Sequence, residues 1–311
     1  MAVKGSPSEA ALALALYRGY FEKQGLRIET AALDSGPQMV PALSTNQVQV
    51  GAGSLSASLF NALGRGINIR MVADYSHVGS PDDSGLALLV RKDLLDSGAV
   101  KSLADLKGQV VGLGTNHGTV SDFLWAHALQ KNGLNSLDVE IKYLQFPDIF
   151  SALSNGQMAA GTLTQPLVAQ AEEKGIARVF YPAGAVILGS ELSILQYSPQ
   201  FAADQDAATR FMVGYLQGAR DHYQAFHTDD RQARAAAIDL LAEHTALKDK
   251  TVWDKSSPTN IDLNGNINVD DLINQANFYK QQGTLTGAVP DVRQYVDQRF
   301  AEAAVRQLGK R

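Results

Sequence analysis

The chain repeats itself once. Ala42-Leu43-Ser44-Thr45-Asn46-Gln47-Val48-Gln49-Val50-Gly51 aligns without gaps on Ala152-Leu153-Ser154-Asn155-Gly156-Gln157-Met158-Ala159-Ala160-Gly161, with five of the ten positions identical. Upstream, Lys23-Gln24-Gly25-Leu26 matches Lys131-Asn132-Gly133-Leu134 at an offset of 108, against 110 for the longer pair. A spacing this long is no solenoid period, which runs to about 20–50 residues. Two matches in one order and at nearly one offset point to two lobes of like topology. The 311 residues are also more than the roughly 100–200 of a usual single domain.

Each lobe reads as alternating strands and helices. In the first, Ser6-Pro7-Ser8-Glu9 has the pattern of a capping box, with Ser6 as cap and Pro7 at the first helical position. The helix should run to Gly25, followed by a strand over 27–33 and a helix over 37–45. A strand over 48–52, a helix over 54–63 and a strand over 67–73 complete it. The second lobe echoes this with strands over 110–113, 139–144 and 158–163 and helices over 119–132 and 148–155. Alternation of this kind means βαβ units and mainly parallel sheets. Two apolar stretches, 85–91 and 192–197, are expected to be paired crossover strands forming a hinge. Beyond Pro199 long apolar periodicities predict helices over 204–228, 229–245, 269–282 and 291–308, a tail that should fold back on the first lobe.

Composition removes several functions. There is no Cys, so disulfides, thiolate zinc sites and Cys nucleophiles are absent. Net charge is −5, and no basic run of five or more occurs, which argues against nucleic acid and against an anionic membrane surface. No apolar run reaches the ~18–20 residues that span a bilayer. The chain opens almost inside its first strand, at Val3-Lys4-Gly5, so the reading is of a chain whose signal peptide has been removed. Gly112-x-Gly114-x-x-x-Gly118-Thr119 lacks the Lys of a phosphate loop and has the wrong spacing for a dinucleotide. Asp262-Leu263-Asn264-Gly265-Asn266-Ile267-Asn268 is loosely like a calcium loop, but its Gly falls at position four instead of six. No metal site, cofactor site or catalytic constellation is expected.

In open α/β sheets ligands sit beyond the carboxyl ends of strands, at helix N-termini. That rule alone yields candidate binding residues: Ser6, Ser8, Ser35, Gly36, Ser54, Leu55 and His77 in the first lobe, and Asn116, His117, Gly118, Thr119 and Gln165 in the second. Tyr75, Thr115 and Thr164 lie beside them. Ser54-Leu55 and Thr164-Gln165 are equivalent at offset 110, so the two turns should face each other across an interlobe cleft. Small polar turns leave backbone N–H groups accessible, and helix N-termini add partial positive charge. A sulfonate, carboxylate, nitrate or phosphate-like group fits best. Ser and Gly are also ordinary caps and turn formers. His77 and His117 could donate to an anion or simply be solvated. Glu191 either reads an ammonium or pairs with Arg91 or Lys92, the second being preferred. Phe146 and Tyr181 could stack on an aromatic ligand or belong to the core.

Gly19-Tyr20-Phe21-Glu22-Lys23-Gln24-Gly25-Leu26, Ser35-Gly36, Ala42 to Gly51 and Leu103-Ala104-Asp105-Leu106-Lys107-Gly108-Gln109-Val110-Val111-Gly112 together resemble the nitrate/sulfonate/taurine, or NMT1/THI5-like, group of ABC substrate-binding proteins. Pro147 to Gln157, Thr164-Gln165-Pro166 and Tyr279-Lys280-Gln281-Gln282-Gly283 fit its later pattern. The resemblance implies a two-lobed periplasmic-binding-protein type II fold, with lobe I over 1–88 and 193–311 and lobe II over 89–192. It implies a monomeric, non-enzymatic, extracytoplasmic subunit that captures a small organic anion and delivers it to a membrane permease. The alternative on the same fold is a THI5-like pyrimidine-biosynthesis enzyme. That branch carries a Cys-rich signature, which this chain lacks.

Overall fold

The computed structural model describes residues 1–3, 9–33, 36–114, 116–245, 247–256 and 260–311, so Ser6, Ser8, Ser35 and Thr115 lie outside the described residues. Strand β1 (Ala2–Val3) is followed by helices α1 (Ala10–Tyr17) and α2 (Tyr20–Lys23), β2 (Ala31–Ala32), α3 (Gly36–Ser44), β3 (Val50–Ser54), α4 (Ala57–Gly64) and β4 (Arg70–His77). Next come β5 (Leu86–Arg91), α5 (Lys92–Asp96), β6 (Val110–Leu113), α6 (Val120–Lys131), β7 (Glu140–Tyr143), α7 (Phe146–Ser154), β8 (Ala160–Thr164), α8 (Leu167–Glu173), β9 (Ala177–Pro182) and α9 (Gly184–Ile187). Strand β10 (Glu191–Tyr197) then leads into α10 (Pro199–Ala203), α11 (Gln205–Phe226), α12 (Arg231–His244), α13 (Lys250–Lys255), α14 (Val269–Gln281) and α15 (Arg299–Leu308).

The helices of the C-terminal tail start where side-chain oxygens can take their free N–H groups. Asp204 accepts from Ala207 N at 3.1 Å, Asp230 from Ala233 N at 2.9 Å, and Asn268 from Asp271 N at 3.3 Å. The first helix is not continuous to Gly25, because the chain breaks at Arg18-Gly19 between α1 and α2. The strand expected over 27–33 shrinks to Ala31–Ala32, which pairs in parallel with β1.

By its internal contacts the chain forms two units. The first comprises Met1–His77, Ser190–Asp254 and Asn260–Arg311, and the second Val78–Gly189 and Lys255–Thr259. The chain therefore passes between the units at 77/78 and 189/190 and again at 254/255 and 259/260, whereas the sequence predicts lobe boundaries at 88/89 and 192/193. The two apolar stretches are not paired with each other either. Strand β5 lies between β8 and β9 in the second unit, and β10 between β3 and β4 in the first. Each lies between two strands of its own sheet and is buried on both faces, which is why both read as apolar runs.

In the second unit the strand order is β7-β6-β8-β5-β9; in the first it is β1-β2 plus β3-β10-β4. The sheets are mixed. Strand β6 runs parallel to β7 and β8, whereas β5 and β10 are antiparallel to both of their neighbours. The registers are equivalent: Ser54 faces Ser193 and Val50 faces Tyr197, just as Thr164 faces Leu86 and Ala160 faces Val90.

The sequence repeat is a repeat of structure. Helices α3 and α7 end at Ser44 and Ser154, and β3 and β8 begin at Val50 and Ala160, each pair 110 apart. The turn between them closes alike, with Asn46 N on Leu43 O and Val48 N on Ala42 O in one, Gly156 N on Leu153 O and Met158 N on Ala152 O in the other. Asn46 and Gly156 both take left-handed φ, 59° and 80°. Asn and Gly are the two residues that tolerate it most readily. Met39 and Ile149, again 110 apart, press on Gly51 and Gly161: a methyl group on either glycine would sit 2.6 Å from that side chain.

The first unit's core joins α1, α11 and α15 to the β3-β10-β4 sheet. Phe21 stacks on Phe211 at 4.5 Å, and Tyr197 and Phe300 complete the ring cluster. In the second unit the buried Trp125 donates to Thr162 Oγ1 at 2.7 Å. Fully burying such side chains contributes about 1.5–3 kcal/mol each.

Candidate ligand-binding site

The candidate turns follow β3, β4, β6 and β8. After β3, Ser54 is half-buried, while Leu55 is fully buried, its N–H on Leu192 O at 3.2 Å and its side chain in the core. Leu55 thus keeps neither its side chain nor its N–H for a ligand, only its carbonyl. Helix α4 starts three residues later than the sequence suggested, because Ser56 is its cap, accepting from Leu59 N and lying 2.8 Å from Ser58 Oγ. Gly36 opens α3.

His77 ends β4. Its Nδ1 lies 2.8 Å from Asp74 Oδ2, and its backbone N–H donates to Asn260 O at 2.9 Å. An imidazole already tied to a buried acid is a poorer anion donor than a free loop His. Tyr75 is buried against Tyr215, and its hydroxyl meets no partner among the described residues. Burial first, then the nearby Glu9 acid, raises the Tyr75 phenol well above its ordinary value.

Glu191 departs from its expected role. Arg91 binds Asp93, Lys92 binds Asp96, and Glu191 finds its partners inside its own unit. Its Oε1 accepts from Asn268 N at 2.6 Å, and its backbone N–H donates to Asp271 Oδ2 at 2.8 Å. Burial and then the adjacent Asp74 acid push its carboxyl up to about 11. Glu191 Oε2 and Asp74 Oδ1 have no donor unless one acid keeps its proton. The ion pair predicted for Glu191 is thus replaced by a protonated carboxyl on Asp74. Asp74 Oδ2 meanwhile takes Asp262 N at 2.5 Å, and Asp262 Oδ1 accepts Asn264 N and Asn266 N. The calcium-like loop therefore spends its oxygens and amides on its own closure and on Asp74.

In the second unit, Gly118 and Thr119 form the turn into α6 around an acid the sequence reading overlooked. Asp122 Oδ2 accepts from Gly118 N at 3.1 Å, Thr119 N at 3.0 Å and Thr119 Oγ1 at 3.1 Å. Its Oδ1 accepts from the Tyr143 hydroxyl at 2.6 Å and lies 3.8 Å from His117 Nε2. The N-terminus of α6 thus already holds a carboxylate, which offsets part of the positive end on which the anion argument relied. The missed signal is Thr119-Val120-Ser121-Asp122, a capping box with the same pattern as Ser6-Pro7-Ser8-Glu9. Tyr143 could not be found this way, since its bond to Asp122 depends on β7 pairing with β6. Burial and then Asp122 raise the Tyr143 phenol.

His117 is half-exposed and its ring lies 5.4 Å from that of Tyr143; Asn116 is exposed beside it. Phe146 is half-buried at the start of α7, and Tyr181 packs against the second unit's core near Asn132. Gln165 N donates to Gly85 O at 3.0 Å, its Oε1 accepts from Ala169 N at 3.4 Å, and the bond to Pro166 is cis. The Gln165 side chain thus holds the start of α8. Among the described residues no group of three or more His, Asp or Glu is placed to hold a metal ion, and no helix is long and apolar enough to cross a membrane.

Mixed sheets in equivalent register, each with polar βα turns at its strand ends, match a known family. Its model, NMT1/THI5 like, aligns with residues 6–225. The chain belongs to the NMT1/THI5-like family. An Escherichia coli K12 protein named for binding aliphatic sulfonates is 26% identical over 224 residues, covering 71% of this chain and 63% of that protein. A Brachyspira hyodysenteriae protein bearing the name of an ABC transporter periplasmic binding protein is 31% identical over 165 residues, 50% of this chain and 45% of its own length. The chain thus spans less than two thirds of these relatives. Among solved structures, the alkanesulfonate-binding protein of Xanthomonas axonopodis pv. citri, bound to MOPS, superposes with a TM-score of 0.72 at 21% identity, covering 93% of this chain and 94% of that one. The nitrate-binding protein of Synechocystis PCC 6803 gives 0.75 at 12% identity, covering 97% and 86%. This NMT1/THI5-like chain has the fold of periplasmic binding proteins.

Proposed function

We propose that this chain is the solute-binding subunit of an ABC importer. It takes a small organic anion of sulfonate or carboxylate type at the βα turns and delivers it to a membrane permease outside the cytoplasm. We further propose that it acts as a monomer and catalyses no reaction. The observation that carries this reading is the duplicated strand–turn–helix register, which presents Ser54-Leu55-Ser56 and Thr164-Gln165-Pro166 at equivalent strand ends. Family membership and the names of the relatives support it. The absence of Cys disfavours the pyrimidine-synthase alternative on this fold. A thermal-shift screen against nitrate, alkanesulfonates, taurine and aromatic and aliphatic carboxylates tests the proposal. A ligand at ~1,000 times its Kd adds about 4 kcal/mol of stability. A clear shift with one anion class is expected. No shift with any of them, in protein unfolded and refolded to release carried-over ligand, would overturn it.

A further inference from the structure

The turn that leads into α6 is poorly made for an anion and well made for a flat one-sided contact. Asp122 already fills it with negative charge and uses both of its oxygens on protein donors. An incoming carboxylate or sulfonate end would meet that charge without new donors from Thr119 or Tyr143. What the turn offers instead is ring surface. His117 and Tyr143 lie 5.4 Å apart with their planes inclined by 35°. The Tyr143 hydroxyl is anchored on Asp122 at 2.6 Å, which fixes the ring and leaves its face, not its oxygen, for recognition. Phe146 borders the same turn: a methyl group on Gly114 would sit 3.4 Å from its ring and 3.1 Å from Ser121 Oγ. Gly114 therefore lets Phe146 lie close to the exit of β6. All three rings are only partly buried, unlike Trp125 and Tyr197, which the cores consume. Tyr143 and Phe146 rest on the cores by one side, as Tyr181 does, but Tyr181 lies beside Asn132 at the C-terminal end of α6 and so does not join this turn.

We infer that His117, Tyr143 and Phe146 are specificity determinants that select solutes with a planar, unsaturated or aromatic body over saturated ones of equal charge. This rests on the solute-binding reading above. Ring faces reward flat partners through offset and edge-on contacts that a puckered saturated ring makes poorly.

The test compares benzoate with cyclohexanecarboxylate, which share charge and approximate size, and adds ethanesulfonate as a ring-free anion. Affinities are read by calorimetry on the full chain. Benzoate should bind about tenfold tighter than its saturated partner, the order set by one good ring contact. Phe146→Leu and Tyr143→Leu should shrink that ratio to about twofold or less, while Tyr143→Phe, which loses only the hydroxyl, should keep it. A ratio is the right readout because general loosening of the unit weakens both acids alike. Equal affinities in the parent protein, or a ratio unmoved by Phe146→Leu and Tyr143→Leu, would overturn the inference. Binding of ethanesulfonate without either ring acid would also overturn it while leaving the transport reading in place. Failure of all three anions would remove both.

Discussion

Each unit buries an acid near the end of its sheet, and the two acids are kept in opposite ways. Asp122 in the second unit is surrounded by donors: two backbone N–H groups, the Thr119 and Tyr143 hydroxyls and, at 3.8 Å, His117. Glu191 in the first unit faces acids: Asp74 directly, Asp271 beside it, with Asp262 and the Tyr215 phenol close to Asp74. His77, on Asp74, brings a basic side chain to that group. A donor-rich site holds a charged carboxylate; an acid-rich site holds a proton. The two acids are not copies of one another, since Asp122 lies in the first turn of α6 and Glu191 opens β10. Burial alone therefore teaches nothing about a carboxyl's charge unless its partners are known.

The largest expected difference is in pH dependence. The Glu191 carboxyl is raised from 4.5 to about 11 in the folded chain. Between those values the folded chain holds a proton that the unfolded chain releases, so stability falls as pH rises. The contribution is whole below pH 4.5 and is lost progressively toward pH 11. Glu191→Gln keeps an acceptor for Asn268 N and a donor for Asp74 without a titrating proton. Urea unfolding at steps from pH 5 to 9 should show a steeper decline for the parent than for Glu191→Gln. Parallel curves would mean that Glu191 is ionised after all.

The mirror experiment is Asp122→Asn. An amide must turn its NH2 either toward Tyr143 or toward the Gly118 and Thr119 donors, so one side is left donor against donor. Losing charge-assisted bonds in a buried site costs about 3 kcal/mol. Glu191→Gln at pH 7 should cost under about 1 kcal/mol by the same reasoning. The two tryptophans make the comparison clean. Trp125 lies in the second unit and Trp253 in the first, both buried. Emission in Trp253→Phe and Trp125→Phe backgrounds reports each unit separately. Asp122→Asn should lower the Trp125 transition and leave that of Trp253 nearly unmoved.

Much of this was open to sequence reasoning because it is local. Val110–Leu113 is a strand with the bounds expected of it, α6 follows the Thr119 cap, and the repeat at 110 survives down to single hydrogen bonds. What escaped depends on partners distant in the chain. Strands β5 and β10 read as a pair because both are apolar, yet each is apolar from lying between two other strands. Glu191 looked available to a cation because Asp74, Asn268 and Asp271, its neighbours in space, are far away in sequence. Asp122 alone has a local signature, the capping box that Thr119 and Asp122 form at the start of α6.

Smaller effects separate the two copies of the repeat. Adding a methyl at Gly161 places it 2.6 Å from Ile149 Cγ2 and 3.4 Å from Gly112 O; at Gly51 the same methyl meets Met39 Sδ at 2.6 Å. Ile is stiff at its first torsion and cannot swing away, whereas Met has three rotatable bonds and yields. Gly161→Ala should therefore cost about 2–3 kcal/mol and Gly51→Ala about 1 kcal/mol, within the usual range for overpacking. Melting temperatures of the two variants, read through Trp125 and Trp253, check the order. Equal costs would mean that both helices shift as rigid bodies.

The smallest effect concerns the turn itself. Asn46 and Gly156 hold the same left-handed φ, but only the first carries a side chain there. Asn46→Gly removes mild backbone strain but adds freedom to the unfolded chain and deletes the Oδ1 that accepts from the buried Ser198 hydroxyl at 2.6 Å, so it should cost about 1 kcal/mol. Gly156→Ala meets backbone strain instead. It places a Cβ at φ 80° and 3.2 Å from Arg91 Nη1. A left-handed non-glycine residue costs about 1–2 kcal/mol. Because Arg91 also donates to Gly156 O at 2.9 Å, the side chain can retreat only by loosening that bond. Gly156→Asn should lie between the two, since Asn46 occupies the same conformation in the other copy. If Gly156→Asn proves as costly as Gly156→Ala, the obstacle is Arg91 and not the backbone, and Arg91→Ala should then relieve both variants equally.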